Sequence, residues 1–362
     1  MVCLFFVLSY NIFLFMIVVC MLCGASVIRC CFLVLVFFRP SMSISVNTES
    51  VIIIGSGPAA YSASIYASKY KPLILAGDYT SSTQFPGGQL TTTTDVDNYP
   101  GFPSGIAGPD LASLFNKHAQ EYARIRELWV NSISQDEGYF VLSTKEGIFR
   151  SKAVIIATGS VAKKLNAPGV DKYWQSGISA CATCDGWAFS GRVVVVIGGG
   201  DTAMEEVQYL SQIASKVILV HRSETFRARP DLLSKIRNLL NVEIITWSVL
   251  VEAKGDNTSL SSVVIKNVKT EEITEVATDG LFFAIGHDPS TSFLKSLEQE
   301  TGKRILANDN YVLTNKNSMQ TEIEGLYAAG DVQDNKYRQA ITAAYSGMVA
   351  GQSATEWLDG NK

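Results

Sequence analysis

Beyond residue 41 the chain has almost no cysteine. Five of its seven cysteines, Cys3, Cys20, Cys23, Cys30 and Cys31, crowd into the first 41 residues, and only Cys181 and Cys184 follow. A secreted scaffold held by disulfides needs more pairs than that. Histidine is scarcer still: His118, His221 and His287 are the full set, and none is spaced near the cysteines. A structural zinc site takes about four ligands, so the pair reads as a thiol–disulfide couple and not as half of a metal centre. Charge of one sign is also lacking, with 30 basic residues against 34 acidic and a net charge of −4. That excludes the basic footprint of a nucleic-acid binder. Repeats of solenoid length and low-complexity linkers are absent too.

The first 41 residues lack charge almost entirely: Arg29 and Arg39 are their only ionic side chains. Residues 2–28 form a run long enough to span a bilayer. It has no basic flank and is too long for the apolar region of a signal peptide. The expectation is that the working protein starts near Met42 and is cytoplasmic, with membrane attachment as the alternative if the leader is retained.

What the body does have is glycine, placed after apolar strands. The run 51–54 enters GSGPAA at 55–60, a helical stretch follows over 61–70, and 72–76 reads as the next strand. The same order recurs later: a strand over 192–197, GGGDTAMEE at 198–206, helix to about residue 213, then a strand over 216–220. Strand, glycine turn, helix and strand make the opening of a dinucleotide-binding unit. Two such units predict an α/β protein with two Rossmann-like domains. Further buried strands at 153–157 and 325–329 flank the second unit, which predicts that the second domain is inserted into the first. The expected limits are 47–160 and 288–362 for the first domain and 161–287 for the second, with hinges near 160–163 and 286–289.

The chemistry follows from residue type. In Gly55-x-Gly57-x-x-Ala60, Gly55 permits the tight turn, Gly57 lets backbone approach a pyrophosphate, and Ala60 lets helix and strand pack closely. Pro58 suits a first helical turn, and the helix N–H groups would face the phosphates. Asp78 is within range of a ribose but also suits a polar turn. Gly198-x-Gly200-x-x-Ala203, with Asp201 and Thr202 opening its helix, is the second phosphate turn. An NAD site places an acid about 20 residues further on. This chain has His221 and Arg222 there, with Arg227 beyond, and guanidinium groups suit a 2′-phosphate. NADP is therefore expected over NAD; the alternative is that both arginines are plain surface charges. Cys181-Ala-Thr-Cys184 suits a small disulfide ring with one thiol of lowered pKa. Asp185 could exchange a proton with the leaving thiolate or simply cap a turn. Near the end, Asp331 follows a buried strand and could bind a ribitol hydroxyl, and a helix expected to start at Arg338 could offer N–H groups to a flavin carbonyl.

Taken together, these strings resemble the low-molecular-weight thioredoxin reductases from about residue 51 to residue 351. GSGPAAYSASIYA at 55–67, GGQLTTTTDVDNYPGFP at 87–103 and ATGS at 157–160 carry the likeness, with CATCDGWAFSG at 181–191, GGGDTAMEE at 198–206 and AAGDVQDNKYRQAITAAYSG at 328–347. The resemblance implies FAD contacts at Ser56, Gly57, Pro58, Ala59, Gln89, Asn98, Asp331, Arg338, Gln339 and Ala340. It implies that Cys184 is the cysteine nearer the flavin and that Asp185 is the acid. It further implies NADPH as donor, thioredoxin as acceptor, a homodimer, and a second domain that rotates between two orientations. One departure stands out: the family's basic string HRR is here His221-Arg222-Ser223, which should weaken 2′-phosphate binding. The competing readings are a related dithiol oxidase or ferredoxin-fed reductase and, from another class, a membrane-tethered flavoprotein without catalysis.

Overall fold

The structure is a computed structural model that describes residues 3–9, 12–20, 31–37, 47–79, 86–93 and 95–361. Residues 21–30 of the apolar leader and Thr94 of the 87–103 string lie outside the described residues. The chain divides into two units, 1–45 and 46–362. In the first, the strands Cys3–Ser9, Ile12–Cys20 and Cys31–Phe37 pair antiparallel in chain order. Among the described residues no helix is long and apolar enough to cross a membrane.

In the second unit, the β-branched runs become parallel strands buried on both faces. Such strands read as unbroken apolar stretches because neither side meets water. Asn47–Ile54 lies between Leu73–Leu75 and Gly147–Ile156, and Arg124–Arg126 extends one edge. Leu326–Ala328, close to the C-terminus, pairs in parallel with the end of Gly147–Ile156. A meander, Tyr139–Thr144 then Val130–Asp136, adds antiparallel strands on the far side. The second sheet is wholly parallel, in the order Ile178–Ser179, Gly280–Ala284, Val193–Gly198, Lys216–Val220, Val242–Ile245. Every strand of this sheet falls in sequence between Gly147–Ile156 and Leu326–Ala328, so one sheet interrupts the other. The two crossing segments, Ser160–Ala162 and His287–Pro289, pair antiparallel with each other. A three-stranded antiparallel sheet spans 248–277.

The central strands bring aliphatic side chains to cores that also hold Tyr61, Phe140, Phe149, Phe282 and Phe283. Val51, Ile52 and Ile53 are at most 1% exposed, and Val194, Val195 and Val196 are fully buried. Three helix boundaries differ from expectation, one of them because Asp201–Leu210 stops short of residue 213. The first helix runs Pro58–Tyr66, followed by a 3-10 turn Ser68–Tyr70 that ends at Lys71 in the left-handed region. The final helix runs Ala340–Gly360 and does not start at Arg338, whose φ of 48° is incompatible with a helical turn; Gln339 is its cap residue.

Candidate active site

The first glycine turn is shaped by Gly55. Its φ is +119°, and a Cβ there would lie 2.1 Å from the Ala157 carbonyl oxygen, so only glycine fits. A Cβ on Gly57, by contrast, would meet nothing within 4 Å. Gly57 caps Pro58–Tyr66 without any side-chain hydrogen bond, and Pro58 opens the helix. The first-turn N–H groups are thus left to a ligand. This open cradle, bounded by uncapped donors, fits a pyrophosphate. The Ser56 hydroxyl is used internally: it donates to Ala76 O (2.7 Å) and accepts from the Gly87 N–H (2.9 Å). Its backbone is therefore what remains for a cofactor. Ala59 is buried in the helix contact. Asp78, the residue that could have reached a ribose, pairs with Lys145 at 2.9 Å.

The second turn is built alike. Gly200 caps Asp201–Leu210 with no side-chain bond, and Gly198 closes the strand before it. The basic loop lies on this turn, since the Arg227 and Ala228 N–H groups donate to Gly199 O at 2.8 and 3.1 Å. Asp201 accepts from the Arg229 N–H at 2.7 Å and faces the Arg229 guanidinium at 3.5 Å. His221 is buried, stacked on Phe226 with centroids 4.5 Å apart, and its Nε2 lies 2.9 Å from Ser223 Oγ. Arg222 and Arg227 are exposed, with no ion pair shown for either among the described residues, and Thr202 sits half-buried in the first helical turn. The basic loop is thus joined to the turn through the backbone of Arg227 and Ala228. Arg229, which sequence reasoning passed over, is the residue that ties the loop down; its signal was only its place in a basic string.

Cys181 and Cys184 are joined in a disulfide with their Cα atoms 5.3 Å apart. Cys181 caps a single turn, Ala182–Asp185. Ser179 organises it: its Oγ accepts from the Cys181 N–H at 3.0 Å and donates to the Asp185 carboxylate. Asp185 therefore belongs to the disulfide turn. From the cap of the last helix comes Gln339, whose Nε2 lies 3.8 Å from Cys181 Sγ, 3.9 Å from Cys184 Sγ and 3.2 Å from Thr183 Oγ1. Asn98 donates to Gln339 Oε1 at 3.1 Å. Asn98, Gln339 and the disulfide thus form one cluster. Gln89 is held by the Ser160 carbonyl beside the crossing strands.

Arg338 adds the electrostatics. Its guanidinium donates to Asn335 O at 2.8 Å, and its charge acts on groups from several segments. Burial raises the Asp331 carboxyl to about 7, and nearby Asp334 pushes the same way while Arg338 opposes. Glu206, on the Asp201–Leu210 helix, is raised by burial to about 8, again against Arg338 and against a hydrogen bond from the Ala182 N–H. His287 is lowered by burial, with help from Arg338, to about 3. Sequence reasoning gave no role to Glu206, Ser179 or His287, although Glu206 closes GGGDTAMEE and His287 lies at an expected hinge; nothing marks such a residue's environment until the chain folds around it. Ala340 is the first residue of the last helix, beside Gln339.

Known proteins carry the same pattern. The profile of the pyridine nucleotide-disulphide oxidoreductase family matches residues 49–347. The thioredoxin reductase of Pneumocystis carinii is 43% identical over 318 residues, covering 86% of this chain and 96% of that one. A solved thioredoxin reductase from Giardia duodenalis superposes with a TM-score of 0.79 at 37% identity, over 86% of this chain and 99% of that one. One from Streptococcus pyogenes gives 0.78 at 35% identity, over 87% and 100%. With two glycine turns, an inserted sheet and a disulfide between them, the chain belongs to the pyridine nucleotide-disulphide oxidoreductases, in their thioredoxin reductase branch.

Proposed function

We propose that the chain carries electrons from NADPH, by way of FAD and the Cys181–Cys184 disulfide, to thioredoxin. The observation that carries this reading is the contact of Gln339 with both sulfurs, which sets the redox pair beside the start of the helix expected to face the flavin. On this reading residues 47–160 and 288–362 hold FAD and residues 161–287 hold NADPH. Bound FAD would supply a two-electron relay between a nicotinamide and the disulfide. Gly55, Ser56, Gly57, Pro58 and Ala59 would hold its pyrophosphate with backbone N–H groups, Asp331 a ribitol hydroxyl, and the Gln339 and Ala340 N–H groups a ring carbonyl. Gly198, Gly200 and Thr202 would cradle the second pyrophosphate, with Arg222 and Arg227 on the 2′-phosphate.

The residue chemistry then runs as follows. Two electrons break the Cys181–Cys184 bond, and two protons complete two thiols. Asp185, held beside the turn by Ser179, is placed to exchange one of those protons. One cysteine, as thiolate, attacks the acceptor disulfide to form a mixed disulfide. The other cysteine then displaces the reduced acceptor and restores the Cys181–Cys184 bond. The contact with Gln339 must open for a protein substrate to reach the sulfurs, which fits a rotating second domain. A homodimer and a cytoplasmic location belong to the same proposal. The test is NADPH-driven reduction of thioredoxin by the chain from Met42 onward. NADPH-dependent bleaching of a bound flavin without dithiol formation in thioredoxin would refute it.

A further inference from the structure

One acid beside the redox pair has no part in the chemistry above. Glu206 sits on the Asp201–Leu210 helix, and the disulfide turn packs against this helix: a Cβ on Gly186 would lie 3.0 Å from Leu210 and 3.1 Å from Tyr209. Its carboxyl faces the backbone N–H of Ala182, the residue directly after Cys181, which favours the charged form. Its Oε2 is shielded from water and has no hydrogen-bond partner among the described residues. Leaving such an oxygen unbonded is costly. Across from it stands Arg338, next in sequence to the Gln339 that touches both sulfurs.

Resting on the reading of Cys181–Cys184 as the redox pair, we propose that Glu206 is a positioning residue for it. Its carboxyl anchors the start of the disulfide turn through Ala182 and places a titratable charge beside the sulfurs, with Arg338 as counter-cation from the flavin-side segment. A backbone N–H at the start of a helical turn ordinarily favours a nearby thiolate. Glu206 occupies that donor. Reduction to one thiol and one thiolate takes up two electrons and one proton, and leaves a negative charge near Cys181 and Cys184. A charged Glu206 opposes that product; a protonated Glu206 does not. Burial holds its pKa near 8, so its charge changes within the working range. Of the other charged groups here, Arg338 favours ionisation, Glu205 disfavours it, and Asp185 is engaged with Ser179.

The test is the reduction equilibrium of the pair in the flavin-loaded full chain against dithiothreitol between pH 6 and pH 9. Thiols are trapped by alkylation and counted by intact mass, so neither NADPH nor thioredoxin is needed. A failed thioredoxin assay would therefore strike the functional reading and leave this measurement intact. Glu206→Gln should match the parent within about twofold at pH 6 and be about tenfold easier to reduce at pH 9, one pKa unit of coupling. Glu206→Asp, which keeps the charge, should restore the parent's pH dependence. Arg338→Gln removes the counter-cation and should move the parent's inflection to higher pH; it serves as the second variant should Glu206→Gln fold poorly. A shift of equal size at every pH would mean a structural role alone. Either that result or coincident curves for parent and Glu206→Gln, or an unmoved inflection in Arg338→Gln, overturns the proposal.

Discussion

The side-chain amide of Gln339 lies 3.9 Å from the sulfur of Cys184, a residue 155 positions earlier in the chain. The first is the cap of the last helix, and the second closes the disulfide turn of the inserted sheet. Their contact puts the redox pair against the segment that should bind the flavin ring, and it frames the experiments below.

Replacing either cysteine separates the two half-reactions. Cys181→Ser and Cys184→Ser should each reduce thioredoxin turnover to background, because exchange needs both sulfurs. Flavin bleaching by NADPH in a stopped-flow instrument should stay within about twofold of the parent, since the disulfide takes no part in that step. Parent-level turnover in either variant would show that the wrong pair has been assigned.

The two glycines of the first turn should fail differently. Gly55→Ala forces a side chain into the left-handed region and onto the Ala157 carbonyl, 2.1 Å away. A loss of at least about 2 kcal/mol in denaturant unfolding is expected. The Cβ of Gly57→Val meets no protein atom within 4 Å, so its fold should persist while flavin stoichiometry falls sharply. Retention of one flavin per chain in Gly57→Val would remove this turn from the cofactor site.

Nucleotide preference should follow the loop that lies on Gly199. Arg222→Ala should raise the KM for NADPH by about tenfold, the scale of a lost charge-assisted contact, and leave NADH nearly unchanged. Ser223→Arg should lower the KM for NADPH selectively, although it also removes the hydroxyl beside His221 Nε2. Identical steady-state kinetics with both nucleotides in the parent would contradict the 2′-phosphate assignment.

Asp331 predicts a pH dependence in the apoprotein. Its folded pKa is near 7, above the unfolded value of about 3.9. The unfolded state releases this proton first, so the group's stabilisation is full below about pH 4 and is lost as pH rises through 7. Asp331→Asn has no proton to lose. Relative to the parent it should gain stability at pH 8 and show no such gain near pH 4, read from urea midpoints. Its affinity for FAD should fall. A stability difference independent of pH would show that Asp331 is ionised alike in both states.

The sequence by itself determined the local grammar. Runs such as 51–54 and 193–197 had to be buried parallel strands, because unbroken β-branched stretches have no face for water. Gly55 and Gly57 announced a phosphate turn, the first because the tight turn admits only glycine and the second because a bare backbone lets a pyrophosphate approach. The spacing of Cys181 and Cys184 announced a ring-closing pair, and the missing acid after the second unit pointed to NADP. Position along the chain also showed that one unit interrupts the other. The tertiary structure alone decided which distant residues meet. Gln339 reaches the sulfurs, and Arg338 acts on Glu206, only because the last segment meets the inserted one. Even the start of the last helix depended on this level: Arg338 takes a left-handed conformation that no local propensity favours. Hydrogen bonds and charges act through space, and burial is a property of the whole fold, so a single glutamate carries no mark in the sequence of the environment that raises its pKa.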